Sequence, residues 1–306
     1  MTDPLPATYG YDLSTDLRYK LRGEPPVEAL HWVESELGAR VVGNRPLDGG
    51  TSSAVHLLSL EDTTGKQFQV VLRRYVLDWV ENEPWAPSNE ATILRLLTNS
   101  PTIPAPLLLA ADPDGSVTGT PAIVMSVLPG QVVWAPSDTE SWLRSLAELL
   151  PAIHGLPISH SPELGDWEPF APEPDLVPPS WTRHTRAWEQ ALDAYEGARP
   201  SSERVFLHRD FHPGNVLWTG ADITGVVDWV SSCAGPPEED VAHCRVNIAQ
   251  RHGQAQADRF LALWQEITGR REYHPYWDLV TTISMVGPEP DAALDEFVVA
   301  AAARLR

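Results

Sequence analysis

The chain has 306 residues, 42% of them apolar and 21% charged, a composition that excludes a disordered or fibrous protein and gives length for two modest domains. Lys and Arg number 22 against 42 Asp and Glu, a net charge of −20, which would be repelled by nucleic acid or an anionic membrane surface and is compatible with a cationic ligand or simply with a soluble acidic surface. Cys233 and Cys244 are the only cysteines. With no CxxC pair, neither a disulfide framework nor a cysteine-based zinc site is supported, and two buried thiols in a reducing compartment are expected. The opening MTDPLPATYGYDL has no apolar run of a secretory signal, and no stretch approaches the roughly 20 apolar residues of a membrane span. A cytoplasmic protein with no membrane partner is expected.

No internal repeat is visible. Residues 1–24 are mixed and turn-rich and read as an N-terminal extension. Val27–Leu37 then carries Leu30, Val33 and Leu37 at helical spacing. Three strand-like runs follow, 39–42, 54–60 and 68–75, the last two separated by a polar turn containing Gly65. Residues 88–97 read as a helix, and 107–111 and 122–128 as two more strands. Residues 25–128 therefore predict a lobe with a five-stranded antiparallel sheet and an internal helix. Pro129-Gly130 breaks the chain, and from there to residue 306 the pattern is mostly helical, opening with Ser137–Glu140 (SDTE) as a capping box. Residues 157–180 hold seven prolines and five acids (Glu163, Asp166, Glu168, Glu173 and Asp175) with no Lys or Arg, a loop long enough to serve function. Helices are expected over 181–195, 239–249, 255–267, 276–285 and 292–305, with short strands at 205–207, 216–218 and 223–227. The fold class is α+β, a small sheet lobe followed by a larger helical one.

The densest chemistry lies in FLHRDFHPGNVL (206–217) followed by GVVDW (225–229). Asp210 and Asn215 sit on a polar loop between two apolar strands, and Asp228 ends a third. Hard oxygen ligands with open positions suit Mg²⁺ bound together with substrate phosphates. A carboxylate five residues before an Asn can hold a substrate hydroxyl while the Asn and the later Asp hold metal. In the N-terminal half, LDGGTSSAV (47–55) lies between two strands, where Gly49 and Gly50 allow close backbone approach to a phosphate; a Gly-Gly hairpin turn would read the same. Alternation over 68–75 places Phe68, Val70 and Leu72 on one face and Val71 with Arg73 on the other. Glu90 shares a helix face with Ile93, Leu94 and Leu97, and a carboxylate on an apolar stripe needs a cationic partner unless it merely favours the helix N-terminus.

HRDFHPGN with VVDW resembles the catalytic loop and metal-binding segment of the aminoglycoside phosphotransferase family, small-molecule kinases with the protein-kinase-like two-lobe fold. The resemblance covers roughly residues 40–250. It implies that Asp210 is the catalytic base at the acceptor hydroxyl and that Asn215 and Asp228 hold Mg²⁺ on the phosphates of ATP or GTP. In the segment after it, GPPEEDVA (235–242), Asp240 would brace the catalytic loop. The same resemblance assigns nucleotide contacts to Gly49, Gly50, Thr51, Ser52 and Ser53, to Arg73 where kinases usually carry Lys, and to Glu90 as its partner. Arg binds phosphate bidentately, so the exchange is compatible with that role. Arg74 is the second candidate for it. The hinge between lobes is IVMSVLPG (123–130), with Met125 walling the adenine pocket and Ser126 and Leu128 hydrogen-bonding the base edge.

Only eleven residues separate Asp228 from Asp240 and no Ala-Pro-Glu follows, which leaves no room for a peptide-docking platform. The expected activity is therefore Mg-dependent phosphoryl transfer to a hydroxyl of an aminoglycoside-like antibiotic or related metabolite. A macrolide or a choline-, sugar- or amino-acid-type acceptor is the alternative, with the tryptophans, among them Trp167, Trp181, Trp188, Trp264 and Trp277, either lining a pocket or filling the core. Two further readings are a nucleotide-binding module without transfer, suggested by Arg73, and a hydrolase metal site built from His208, Asp210 and His212.

Overall fold

The computed structural model describes residues 14–47, 49–98, 100, 102–158, 164–170 and 177–305. Asp48, Glu163, Glu173, Asp175 and the first thirteen residues, all named above, lie outside the described residues. Contacts divide the chain into two compact units, 1–130 with 224–230, and 131–223 with 231–306. The segment 224–230 thus groups with the first unit, although it sits in sequence inside the second.

The first unit opens with helix α1 (Thr15–Arg22), inside the stretch that reads as turn-rich. Ser14 caps it by accepting from the Leu17 N–H, and Asp16 lies in the first turn where the helix dipole favours an acid. Helix α2 (Val27–Leu37) ends on Gly38 at φ 60°, the left-handed conformation a glycine adopts without penalty. Strands β1 (Ala39–Pro46), β2 (Ala54–Asp62) and β3 (Gln67–Arg74) follow, then α3 (Trp79–Asn82), α4 (Ala86–Leu97), β4 (Leu108–Asp112) and β5 (Ala122–Ser126). The five strands form one antiparallel sheet in the order β1-β2-β3-β5-β4. Alternation decides what each face does. Leu58, Leu60, Val70, Leu72 and Val124 pack against Ala29, Trp32 and Val33 of α2, each fully buried aliphatic contributing about 1.5–3 kcal/mol. Val71 and Arg73 are thereby turned to the opposite face, together with their cross-strand partners Met125 and Ile123.

The second unit is mostly helical: β6 (Gln131–Val132), α5 (Thr139–His154), α6 (Thr185–Glu196), β7 (Val205–Leu207), β8 (Val216–Thr219), the start of β9 (Asp222–Val226), β10 (Cys233–Gly235), α7 (Glu238–His252), α8 (Gln254–Thr268), α9 (Tyr276–Met285) and α10 (Ala292–Ala302). The cap of α5 is Asp138, which accepts from the Ser141 N–H at 3.1 Å, so the helix starts one residue later than a Ser137 box requires. Arg245 of α7 is fully buried. Its guanidinium donates to both oxygens of Asp278 on α9 (3.0 and 3.1 Å) and to the Ala257 carbonyl on α8 (2.7 Å). A buried charge persists only when paired in this way, and the pairing staples three helices together. Trp167, Trp188, Trp264 and Trp277 are buried in this unit, which makes them core.

Candidate active site

Each unit gathers one set of the polar residues named from the sequence. In the first, β3 carries Arg73 one residue before its end, and the Arg73 Nη1 donates to Oε1 of Glu90 on α4 at 2.9 Å. Its Nη2 lies 2.7 Å from Oδ1 of Asp228. Tyr75, one residue beyond β3, donates its hydroxyl to the other Glu90 oxygen, and the guanidinium also stands 5.2 Å from the Tyr75 ring centre. One cation therefore serves two carboxylates in a site where Arg73, Tyr75 and Glu90 are all buried. Burial pushes the Glu90 carboxyl above its ordinary range, with the charge of Asp228 adding to that and Arg73 opposing it. Burial also works against the Arg73 cation, but Asp228 and Glu90 outweigh it and hold the guanidinium charged. Tyr75 escaped the sequence reading because a tyrosine at a strand end has no pattern that distinguishes it from packing. Arg74 is buried too, and its Nε has no partner.

The glycine-rich turn between β1 and β2 is held through its carbonyls. Arg22 of α1 donates to the Gly50 oxygen, and the Trp79 indole N–H donates to the Ser52 oxygen at 2.8 Å. Gly49 has φ 97°, open only to glycine at low cost. Thr51 and Ser52 are half-buried and Ser53, just before β2, is buried. At the end of β5, Met125 shares the sheet face of Val71 and Arg73. Ser126 is pinned on both sides: its N–H donates to the Leu107 carbonyl and its hydroxyl accepts from the Leu107 N–H, both at 2.9 Å. Leu128 follows the strand, half-buried.

The second unit assembles the loop between β7 and β8. Asp240 of α7, fully buried, accepts the N–H groups of His208 (3.0 Å) and Arg209, and pairs with His154 Nε2 at 3.0 Å. The loop main chain is so fixed that Arg209 is held at φ 71°, a conformation that costs about 1–3 kcal/mol outside glycine and persists where the surroundings impose it. Asn215 donates its amide to Oδ2 of Asp210 (3.0 Å) and to the Asp210 carbonyl (2.9 Å), leaving its own oxygen outside these bonds. The other Asp210 oxygen, Oδ1, lies 3.0 Å from Nε2 of His243 on α7 and 3.8 Å from Nε2 of His212. Burial alone would raise the Asp210 pKa, but the His243 hydrogen bond and the neighbouring imidazoles hold it well below the usual carboxylate range. His243, missed in the sequence because a single His on a helix carries no pattern, has its pKa raised: burial opposes the charge, and Asp210, Glu239 and Asp240 outweigh it. Burial pushes Glu239, one turn before it, up to about 7.

Asp210, His212 and His243 bring ligand atoms within 4.8 Å of one another, so a metal site here calls for a chemical test. The His212 Nδ1 accepts the Gly214 N–H at 3.1 Å, which puts the ring proton of the neutral imidazole on Nε2, the atom facing Asp210. A metal on Nε2 would strip that proton and leave a ring with no proton at all. The His212 tautomer therefore favours a hydrogen-bond donor over a ligand. His208 is not one of these three ligand groups, its Nδ1 accepting the Asp210 N–H at 3.3 Å.

The oxygen sets fit a hard divalent cation better. Oδ1 of Asp228 is buried without an aligned hydrogen bond, despite the nearby Arg73, and Asp228 is held at φ 68°. With the Asn215 oxygen outside its amide's bonds, both are of the hard type that Mg²⁺ prefers.

A model of the phosphotransferase enzyme family matches residues 43–276. Acyl-CoA dehydrogenase family member 10 of Mus musculus is 27% identical over 243 residues, which is 71% of this chain and 22% of that protein. Viomycin phosphotransferase of Streptomyces vinaceus is 29% identical over 171 residues, 49% of this chain and 58% of that one. The chain thus spans less than two thirds of the length of either relative. A solved structure, spectinomycin phosphotransferase in complex with ADP and spectinomycin, has a TM-score of 0.58 at 15% identity, covering 88% of this chain and 85% of that chain, a likeness of fold. Matched over more than half its length, the chain belongs to the phosphotransferase enzyme family, the family that its HRDFHPGN and VVDW motifs resemble.

Proposed function

We propose that this member of the phosphotransferase enzyme family transfers the γ-phosphoryl group of ATP or GTP to a hydroxyl of a small molecule, with Asp210 as the base at that hydroxyl. The observation that carries the reading is the Asp210–Asn215 pair, a carboxylate held ionised and fixed by an amide five residues on. Phosphoryl transfer asks the protein mainly for positioning and charge neutralisation. Asp210 orients the acceptor hydroxyl and takes its proton. Arg73, kept charged and aimed by Glu90 and Tyr75, grips the phosphates. The backbone of 49–53 cradles them, and Met125, Ser126 and Leu128 take the base. Asn215 and Asp228 each offer one oxygen to Mg²⁺, which supplies charge neutralisation on the phosphates when bound.

For the acceptor we favour an aminoglycoside-like antibiotic or a related hydroxylated metabolite, in which case the activity confers antibiotic resistance. The net charge of −20 suits a polycation, and two similar proteins, a viomycin and a spectinomycin phosphotransferase, lean toward an antibiotic acceptor. A macrolide or a choline-, sugar- or amino-acid-type metabolite is the competing class. The reducing cytoplasm is the compartment we assign, since both cysteines are free and buried; among the described residues no helix is long and apolar enough to cross a membrane.

The test is nucleotide consumption with Mg²⁺ and ATP or GTP across aminoglycosides, peptide antibiotics including viomycin, macrolides and hydroxylated metabolites. Stimulation by one chemical class is expected. A melting temperature raised by Mg·nucleotide with no stimulation would leave a binding module without transfer, and silence in both would overturn the reading.

A further inference from the structure

We propose that His243 is a positioning residue for Asp210, its Nε2–H holding Oδ1 so that the carboxylate keeps one orientation toward the acceptor hydroxyl; this rests on the reading of Asp210 as the base. The terminal torsion of an aspartate is broad and nearly two-fold, so a carboxylate on a loop swivels unless each oxygen has its own directional partner. Here Oδ1 takes His243 Nε2 at 3.0 Å and Oδ2 takes the Asn215 amide at 3.0 Å. The two anchors come from different places. Asn215 belongs to the same loop as Asp210, whereas His243 stands on the helix α7.

The same helix also holds the loop's main chain. Asp240, three residues earlier and on the same helical face, accepts the His208 and Arg209 N–H groups. α7 therefore grips the tripeptide 208–210 twice, by its backbone through Asp240 and by its reactive side chain through His243. An imidazole suits the second grip. Nε2 keeps its proton in both the charged ring and one neutral tautomer, and Nδ1 has no hydrogen-bond partner to impose the other. The charged and titratable groups around the ring are Asp210 and His212 on the loop and Glu239 and Asp240 on α7; none of them competes for Nε2.

The test compares His243→Leu, which has no donor, with His243→Gln, whose Nε2–H reaches a similar point. Turnover is read as ADP release from Mg·ATP, with water and with viomycin as acceptors. Expected is a kcat lowered about 10- to 100-fold in His243→Leu, the scale of a misaligned reacting group, with KM for Mg·ATP within about two-fold and His243→Gln restoring most of the loss. Equal loss in both variants, or none in either while Asp210→Asn is inactive, overturns the proposal and leaves the base reading standing. Wild-type turnover in Asp210→Asn overturns the base reading itself. A readout free of activity and of the Leu variant's folding is the ¹⁵N spectrum of histidine-labelled protein: the His243 Nε2–H signal, assigned by its loss in His243→Gln, should shift in Asp210→Ala. An unchanged signal overturns the pin.

Discussion

Arg73 shows how one side chain sets a local balance. It stands between Glu90 and Asp228, so Arg73→Met leaves a buried Glu90 facing another carboxylate. Breaking such a pair costs about 3–5 kcal/mol, and chemical denaturation should show a loss of that order; a change below about 1 kcal/mol would mean the pair is not what holds β3 to α4. The two aspartates should separate by function. Asp210→Asn is expected to abolish transfer while leaving nucleotide affinity within a few fold, whereas Asp228→Ala should weaken Mg·nucleotide binding measured by calorimetry. The reverse pattern would exchange their roles. At this scale the sequence is legible where chemistry contradicts environment, as for Glu90 on its apolar stripe. It is silent where a residue type is ordinary for its element, as for Tyr75 and His243. Gly214 lies between: it reads as part of HPGN, but the reason for it is steric, since a Cβ there would stand 2.6 Å from the His212 ring.

Among the elements, α7 carries the largest share of buried charge. Glu238, Glu239 and Asp240 fill its first turn, where the helix dipole favours acids, yet Glu239 is too deep to ionise freely. Its carboxyl titrates at about 7 in the folded chain against an ordinary 4.5. Between those values the folded state keeps a proton that the unfolded state has released, so this group's contribution to stability falls as pH rises through that window. The shift corresponds to about 3 kcal/mol. Glu239→Gln, which preserves the shape beside the Thr281 hydroxyl, should match wild type near pH 4 and exceed it in unfolding free energy at pH 8. A variant no more stable than wild type at pH 8 would show that Glu239 ionises without penalty. Most elements were readable from period and turn residues, α2 and β3 among them. α1 was not, because its helical signal is a short Ser14-to-Arg22 stretch whose burial depends on β2 and the Gly50 turn, far along the chain. The α5 cap lies one residue past Ser137 because Ser137 and Asp138 are both good caps and only the backbone chooses.

For the whole molecule, strands β1 to β5 precede Pro129-Gly130 and helices α5 to α10 follow it, while the first unit takes in 1–130. What the pattern could not carry is that 224–230 returns to the first unit. Thr224 donates to the Pro129 carbonyl and the Val226 N–H to the Pro104 carbonyl, both at 2.7 Å, and these long-range bonds leave no local mark in GVVDW. The return is what puts Asp228 beside Arg73, so these two belong to one unit while Asp210 and Asn215 belong to the other. The acceptor is the part least written in the sequence: the acidic 157–180 stretch gives charge without shape. The most direct measurement follows a radiolabelled γ-phosphate from Mg·ATP into the acceptor that stimulates turnover, with wild-type protein and Asp210→Asn side by side. Expected is label in a hydroxyl of the acceptor with wild type and none with the variant. Label released only as inorganic phosphate, or equal transfer by Asp210→Asn, would contradict a hydroxyl kinase with Asp210 as its base.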